Sequence, residues 1–350
     1  MTCEAPSPAS GVLVIGESLM DVVISPSGMD EHAGGSPMNV SVGLARLGCP
    51  VQLLTRIGTD ARGTVIADYL ASVGVTLVPG SIVEGRTSTA MATLDESGSA
   101  SYEFLIDWSL DFVGELPGSS IMPGSSIMNS SALVHTGSIA AFLEPGASQL
   151  ETLLHAAVAR HAIVTFDPNI RPSIIGSKKD SRAVVERIAA LATVVKVSDE
   201  DALWLFGELS PDKVIDRLLV IGATLAIVTL GASGAVLATS QHRVRLPGRR
   251  VAVTDTIGAG DSFMSAVVQR LSALLLSGVD AAAIADGSAL GQSVLSDIGQ
   301  FAVSCAAITV SRTGSNPPTM AEARRNAAEV AAQLTRPRRS CLTHLLSREV

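Results

Sequence analysis

The chain has 350 residues, of which 47% are hydrophobic and only 3% aromatic, and it carries a formal charge of −8. That length predicts two domains or one large α/β domain with an appendage, and the apolar content excludes intrinsic disorder. The acidic balance argues against nucleic acid as the main partner, because neutralising phosphates needs clustered Lys and Arg.

After an irregular start over Met1 to Ser10, Val12 to Ile15 reads as a first strand. The apolar run Gly11 to Met20 is too short for a membrane helix, lacks a basic leader and carries Glu17. No run approaches the ~20 apolar residues of a span, so no membrane partner is expected. Asp21 to Ala33 reads as short alternating strands. Met38 to Leu47 has helical apolar spacing, Val51 to Arg56 is strand-like, and a helix is predicted near Val65 to Ser72. Ser81 to Asp111 alternates again, and with Asp21 to Ala33 it predicts a small antiparallel sheet outside the main body, a lid. Pro117 to Met122 and Pro123 to Met128 are both PGSSIM, a loop enlarged by duplication.

Ala162 to Phe166, Val194 to Val197 and Leu225 to Leu230 are apolar runs of strand length, each preceded by a helical stretch. Continuous apolar strands alternating with helices predict a mostly parallel sheet covered on both faces. From Ala321 onward six arginines face three glutamates, read as a solvated helix and tail over 321–350 behind a body spanning 10–320. The four cysteines (Cys3, Cys49, Cys305, Cys341) have neither CxxC spacing nor disulfide density, so reduced thiols and a cytoplasmic setting are expected.

The chemistry concentrates at Asp255-Thr256-Ile257-Gly258-Ala259-Gly260-Asp261, followed by an apolar helix. Glycines before a helix let the backbone come close to a ligand, and amides at a helix start favour an anion. Gly258, Ala259 and Gly260 would thus cradle a phosphoryl group in transit. Asp261 would face the same spot and take a proton from an attacking hydroxyl. An ordinary carboxyl near ~4 makes it a weak base, so positioning must do most of the work. The plain alternative is a helix N-cap. A second glycine pair, Gly34-Gly35, opens the helix containing Asn39, where amides and the Asn side chain could bind hydroxyls. There is no G-x-x-x-x-G-K-[ST] loop, no G-x-G-x-x-G after a strand and no H-E-x-x-H.

The Gly34-Gly35 helix ending in Leu44-Ala45-Arg46-Leu47-Gly48, paired with DTIGAGD, resembles the two signatures of the ribokinase-like (pfkB) family of carbohydrate kinases, over Val12 to about Pro318. Gly16 to Asp21 and Asp167-Pro168-Asn169-Ile170-Arg171 resemble its fructokinase branch. The resemblance implies a three-layer α/β/α sandwich with a β lid, and phosphoryl transfer from ATP to a free sugar hydroxyl with Asp261 as base. D-fructose is the first choice. A 2-keto-3-deoxygluconate kinase, a ribokinase, a nucleoside kinase and a non-catalytic sugar-binding relative are the alternatives. The implied sugar contacts are Asp21, Gly34, Gly35, Asn39 and Arg171; Arg171 also stands at a strand's C-terminal edge, where α/β folds bind ligands. Lys196, Ser198, Thr229, Gly231, Gly234 and Asn316 resemble the ATP side. Asp201 falls on the acid position of an N-x-x-E motif linked to Mg2+, with Ser198 in place of the Asn. An acid-rich first helical turn is the plain reading of that cluster. Asp255 resembles a monovalent-cation (K+) ligand, and a homodimer through the lid is implied.

Overall fold

The computed structural model describes residues 11–25, 28–94, 100–111 and 131–325. Among them nine strands form one sheet. Across it run Arg243–Leu246 (β15), Ala235–Ala238 (β14), Leu225–Thr229 (β13), Val194–Ser198 (β12), Ile163–Asp167 (β11), Ser131–Gly137 (β10), Gly11–Ile15 (β1), Val51–Leu54 (β4) and Val75–Leu77 (β6). Pairing is parallel from β6 to β13 and antiparallel for β14 and β15.

The period of two along a strand sends alternate residues into two cores. In β1, Val12 and Val14 pack toward the helices Ser36–Arg46, Ala61–Ser72, Ala259–Leu276 and Gln292–Val310. Leu13 and Ile15 pack toward Gly146–Ala159, Lys178–Ala189, Asp199–Phe206 and Pro211–Ile221. The molecule is therefore the expected helix–sheet–helix sandwich. Each fully buried Leu or Ile contributes about 1.5–3 kcal/mol, and a strand buried on both faces collects this from every residue.

The helix Gln292–Val310 is long and apolar enough, by length and composition alone, to cross a membrane, contrary to the reading that no run comes close. It lies instead in the core: Leu295, Ile298, Phe301 and Ala302 are buried alongside Val267 and Leu271 of the helix Ala259–Leu276.

The lid is present but mixed in direction. Leu19–Ser25 (β2) pairs antiparallel with Gly28–Gly34 (β3), and Thr89–Leu94 (β8) antiparallel with Ala100–Leu105 (β9). The two units join through β2 and β8, which run parallel. Two sequence-distant hairpins meeting side by side, rather than one meander, account for the departure from the expected antiparallel sheet. Ile82–Val83 (β7) also leaves the lid and pairs with Ile57–Gly58 (β5). The PGSSIM repeats lie outside the described residues, as does the tail beyond 325.

Candidate active site

The strands β1, β10, β11 and β12 are parallel, so their C-terminal ends open on one edge. Two helices begin there. Ser36–Arg46 starts after Gly35, and Ala259–Leu276 starts after Gly258. The helices cross where small residues meet, since a Cβ at Gly43 would collide with Ser265 Oγ.

Asp261 lies in the first turn of the second helix and is 7% exposed. Both its oxygens receive donors from the first helix. Ser36 Oγ donates to Oδ1 at 2.6 Å, and Asn39 Nδ2 donates to Oδ2 at 2.9 Å. Burial raises its pKa above the ordinary carboxylate value, against the lowering effect of these hydrogen bonds and of the Lys196 and Arg171 charges. Asp261 is thus a stronger base than the ordinary value of the sequence reading implied.

The glycine turn is built as expected. Gly258 takes a left-handed φ of 74°, and a Cβ there would strike Ser315 Oγ. The turn is anchored by Asp255, whose carboxylate accepts the Ile257 amide at 3.0 Å and the Gly314 amide at 2.9 Å. Those amides hold its carboxyl below the usual range. Beneath the turn sits Lys196, buried on β12, with Nζ 3.2 Å from where a Gly260 Cβ would stand. Its ammonium pairs with Asp167 Oδ2 at 2.9 Å. Burial alone would lower its pKa, but Asp167, Asp201 and Asp261 hold it up. Burial pushes Asp167 up to about 6, against the opposing charge of Lys196. The other oxygen of Asp167, Oδ1, has no hydrogen-bond partner, although it is buried.

On the lid side, a Cβ at Gly34 would overlap Asp21 Oδ2, so glycine is what lets that carboxylate lie across β3. Gly35, at φ 110°, passes within 2.6 Å (Cβ position) of the Glu17 carbonyl oxygen. Burial raises the pKa of Asp21, while the charges of His32 and Arg171 oppose the rise. Arg171 thus acts on both Asp21 and Asp261. Its guanidinium also folds back to donate to the Ile170 carbonyl at 3.1 Å, and Asn169 before it adopts φ 38°. Asp21, Gly34, Gly35, Arg171, Lys196 and Asp261 therefore share one edge. Asn39 is there too, but its amide is turned to Asp261.

Other expected residues are engaged differently. Ser198 caps the helix Asp199–Phe206 in a capping box with Asp201, so the plain reading of that acidic turn describes its hydrogen bonds. Asp201 Oδ2 accepts the Ser198 amide at 3.1 Å, and Oδ1 accepts the Ile170 amide at 2.9 Å. Thr229, at the end of β13, pairs in register with Ser198, and Gly231 and Gly234 follow it with φ of 50° and 100°. A Cβ at Gly234 would drive into the Leu246 carbonyl, so this strand-to-strand turn depends on glycine. Asn316 follows Ser315, which packs against Gly258, and Arg46 Nη1 donates to its Oδ1 at 2.8 Å.

Two residues of the site were missed in the sequence. Ser36 precedes Pro37 at a helix start, where a hydroxyl normally caps, and only its distance from Asp261 hid its use. Glu17 is buried and accepts the Ala140 amide at 3.1 Å, pinning the turn after β10; burial pushes its carboxyl up to about 7.

Residues 10–322 match the family model described as pfkB family carbohydrate kinase. A fructokinase of Rhizobium leguminosarum bv. trifolii is 31% identical over 268 residues, covering 74% of this chain and 79% of its own. The crystal structure of a Xylella fastidiosa fructokinase with bound ATP superposes with a TM-score of 0.80 at 27% identity, covering 92% of this chain and 99% of that one. A double mutant of Vibrio cholerae O395 fructokinase, solved with fructose, ADP and potassium, gives a TM-score of 0.69 at 26% identity, covering 91% and 98%. With a matching family model over nearly its whole length and a buried aspartate at a glycine-turned helix start, this chain belongs to the pfkB family of carbohydrate kinases.

Proposed function

We propose that the protein is an ATP-dependent fructokinase. The observation that carries the reading is Asp261, buried at a helix start, held by Ser36 and Asn39 and flanked by Lys196 beside Gly260. The sugar hydroxyl gives its proton to Asp261 as its oxygen bonds to the γ-phosphorus. The bond from that phosphorus to the bridging oxygen breaks, and ADP leaves. First-turn amides around Gly258 to Gly260 and the Lys196 ammonium stabilise the charge that spreads over the transferring group. Asp21, the Gly34-Gly35 backbone and Arg171 orient the sugar. The charge of Asp21 favours neutral fructose over an acidic sugar.

A divalent cation such as Mg2+ fits this edge. Three carboxylates, Asp167, Asp201 and Asp261, act on Lys196, and one buried carboxylate oxygen lacks a donor. When bound, the ion neutralises charge on the nucleotide phosphates. Asp255, anchoring the turn, is the residue for K+, in line with the potassium-bound Vibrio fructokinase. Met29, Tyr102 and Leu105 leave apolar surface on the lid, which supports a homodimer contact there.

The test is a coupled ADP-release assay over fructose, 2-keto-3-deoxygluconate, ribose and a nucleoside. Fructose should give the highest kcat/KM. A clear preference for the acid overturns the fructose assignment, and no ADP release with any sugar overturns the kinase reading.

A further inference from the structure

The strand order reverses at β1 and β10, the place where open α/β sheets hold their ligands. Three segments meet there: the end of β1, the turn Ser138–Ala141 after β10, and the start of the helix Ser36–Arg46. They are packed to contact. A Cβ at Gly16 would strike Pro37 in the first turn of that helix and would stand 3.4 Å from the Ala140 Cβ. The Glu17 carbonyl lies against Gly35, which opens the helix.

Contact alone does not fix one segment against another, whereas directional bonds do. The Ala140 peptide makes two. Its amide donates to Glu17 Oε2 at 3.1 Å, and its carbonyl accepts from Trp108 Nε1 at 3.0 Å. Both partners are buried. The Ser138 hydroxyl also hydrogen-bonds the Glu17 carboxyl. Ser138 holds a left-handed φ of 56°, which a residue with a side chain keeps only where its surroundings impose it.

Trp108 belongs to the chain leaving the lid, just past β9. Its ring is wedged against the helix Gly146–Ala159, because a Cβ at Gly146 would run into it. Asp107 beside it is fixed to the root of the lid. Its amide donates to Ser88 Oγ, just before β8, at 3.0 Å, and its carboxylate pairs with Arg56 at 2.8 Å. At the other end, the helix that begins over Glu17 carries Ser36 and Asn39, the two donors to Asp261. The Asp261 charge also reaches Glu17. One buried series of contacts thus runs from the root of the lid through Trp108, Ala140 and Glu17 to the helix start that holds the base.

We infer that Glu17 is a positioning residue for the sugar site, setting the root of the lid against the helix start that holds Asp261. The inference rests on the kinase reading above. A sugar bound between the lid and that helix start feels their relative placement, whereas the nucleotide, on the far half of the sheet, does not.

The experiment measures KM for fructose and for ATP by coupled ADP release, well below the melting temperature. Glu17→Ala, and separately Trp108→Phe, should each raise the fructose KM by about three- to tenfold, the range of one lost buried hydrogen bond, with the ATP KM unchanged. The double variant should lose about as much as one single variant, because both cut the same series. Glu17→Gln, whose side-chain oxygen still accepts the Ala140 amide, should recover most of the affinity lost in Glu17→Ala. Should Glu17→Ala fail to fold, Trp108→Phe carries the test, since it keeps a buried aromatic ring and deletes the donor. Variants that lower only the melting temperature, or raise both KM values alike, overturn the inference. So does a double variant whose loss is the product of the two single losses. An unmodified protein that releases no ADP with fructose overturns the reading beneath it, so the two failures are distinct.

Discussion

Replacing Ser36 by Ala isolates the tuning of the base. Ser36 caps nothing: the helix Ser36–Arg46 starts at Gly35 with no side-chain cap, so the substitution leaves the helix start intact. What it removes is the 2.6 Å hydrogen bond to Asp261 Oδ1, while Asn39 keeps Oδ2. That bond is charge-assisted and buried, worth about 1.5–3 kcal/mol in favour of the ionised carboxylate. The ionised form is the one that accepts the sugar proton. Losing its donor raises a pKa that burial has already raised, so the acid limb of the kcat profile moves to higher pH. At a fixed pH on that limb the rate should fall at least about tenfold, the equivalent of 1.4 kcal/mol per decade. Toward alkaline pH it should recover. The assay is a coupled ADP-release measurement of kcat across pH with saturating fructose and ATP. If the rate falls by the same factor at every pH, or the acid limb stays in place, Ser36 does not tune Asp261 and the account of the base is wrong.

Asp261→Asn should keep the melting temperature and ATP binding while lowering kcat by at least ~10²-fold, the scale of a general base; near-normal turnover would refute the mechanism. Gly260→Val puts a side chain against Lys196 Nζ, so kcat should fall while calorimetric fructose affinity is kept. Asp21→Ala should raise the fructose KM by about tenfold or more, with little change for ATP, because charge-assisted bonds to sugar hydroxyls are lost. Glu17→Gln should match the parent's melting temperature near pH 4 and exceed it by pH 8. A raised carboxyl binds its proton more tightly in the folded state, so the parent loses stability as pH climbs from 4.5 to about 7, by at most about 3 kcal/mol. Thermal melts across pH check the sign.

The glycine turns and Asp261 were legible because their chemistry is local: backbone freedom, helix start and acid all sit within seven consecutive residues. The strands legible in advance were those with unbroken apolar runs. β10 was not, because Ser131, His135 and Thr136 interrupt its sequence. In the fold the last two are satisfied across strands: His135 Nδ1 lies 2.9 Å from Thr165 Oγ1, and Thr136 Oγ1 donates to the Ile15 carbonyl. A buried polar residue with a partner is cheap, but the partner is invisible until the strand order is known. β15 was hidden differently. Its alternation of Arg243 and Arg245 with Val244 and Leu246 looks like an exposed segment, yet it is an edge strand whose arginines pair with Asp212 and Asp216. The parallel joint between β2 and β8 links hairpins that are distant in sequence, and no local pattern encodes it.

The site shows the same division between residue type and residue partner. Asp167 and Lys196 were each visible as members of motifs, but their pairing follows from register. Thr165 faces Val194 and Phe166 faces Val195, so continuing one step sets Asp167 opposite Lys196. Asp201 shows the converse. Its position in a motif suggests a metal-linked acid, and in the fold each of its oxygens accepts one backbone amide, which the motif did not reveal. Position in a motif says which chemistry a side chain is able to perform. Hydrogen-bond accounting says which partners its atoms already hold, and among the described residues at this edge the buried carboxylate oxygen without a donor belongs to Asp167.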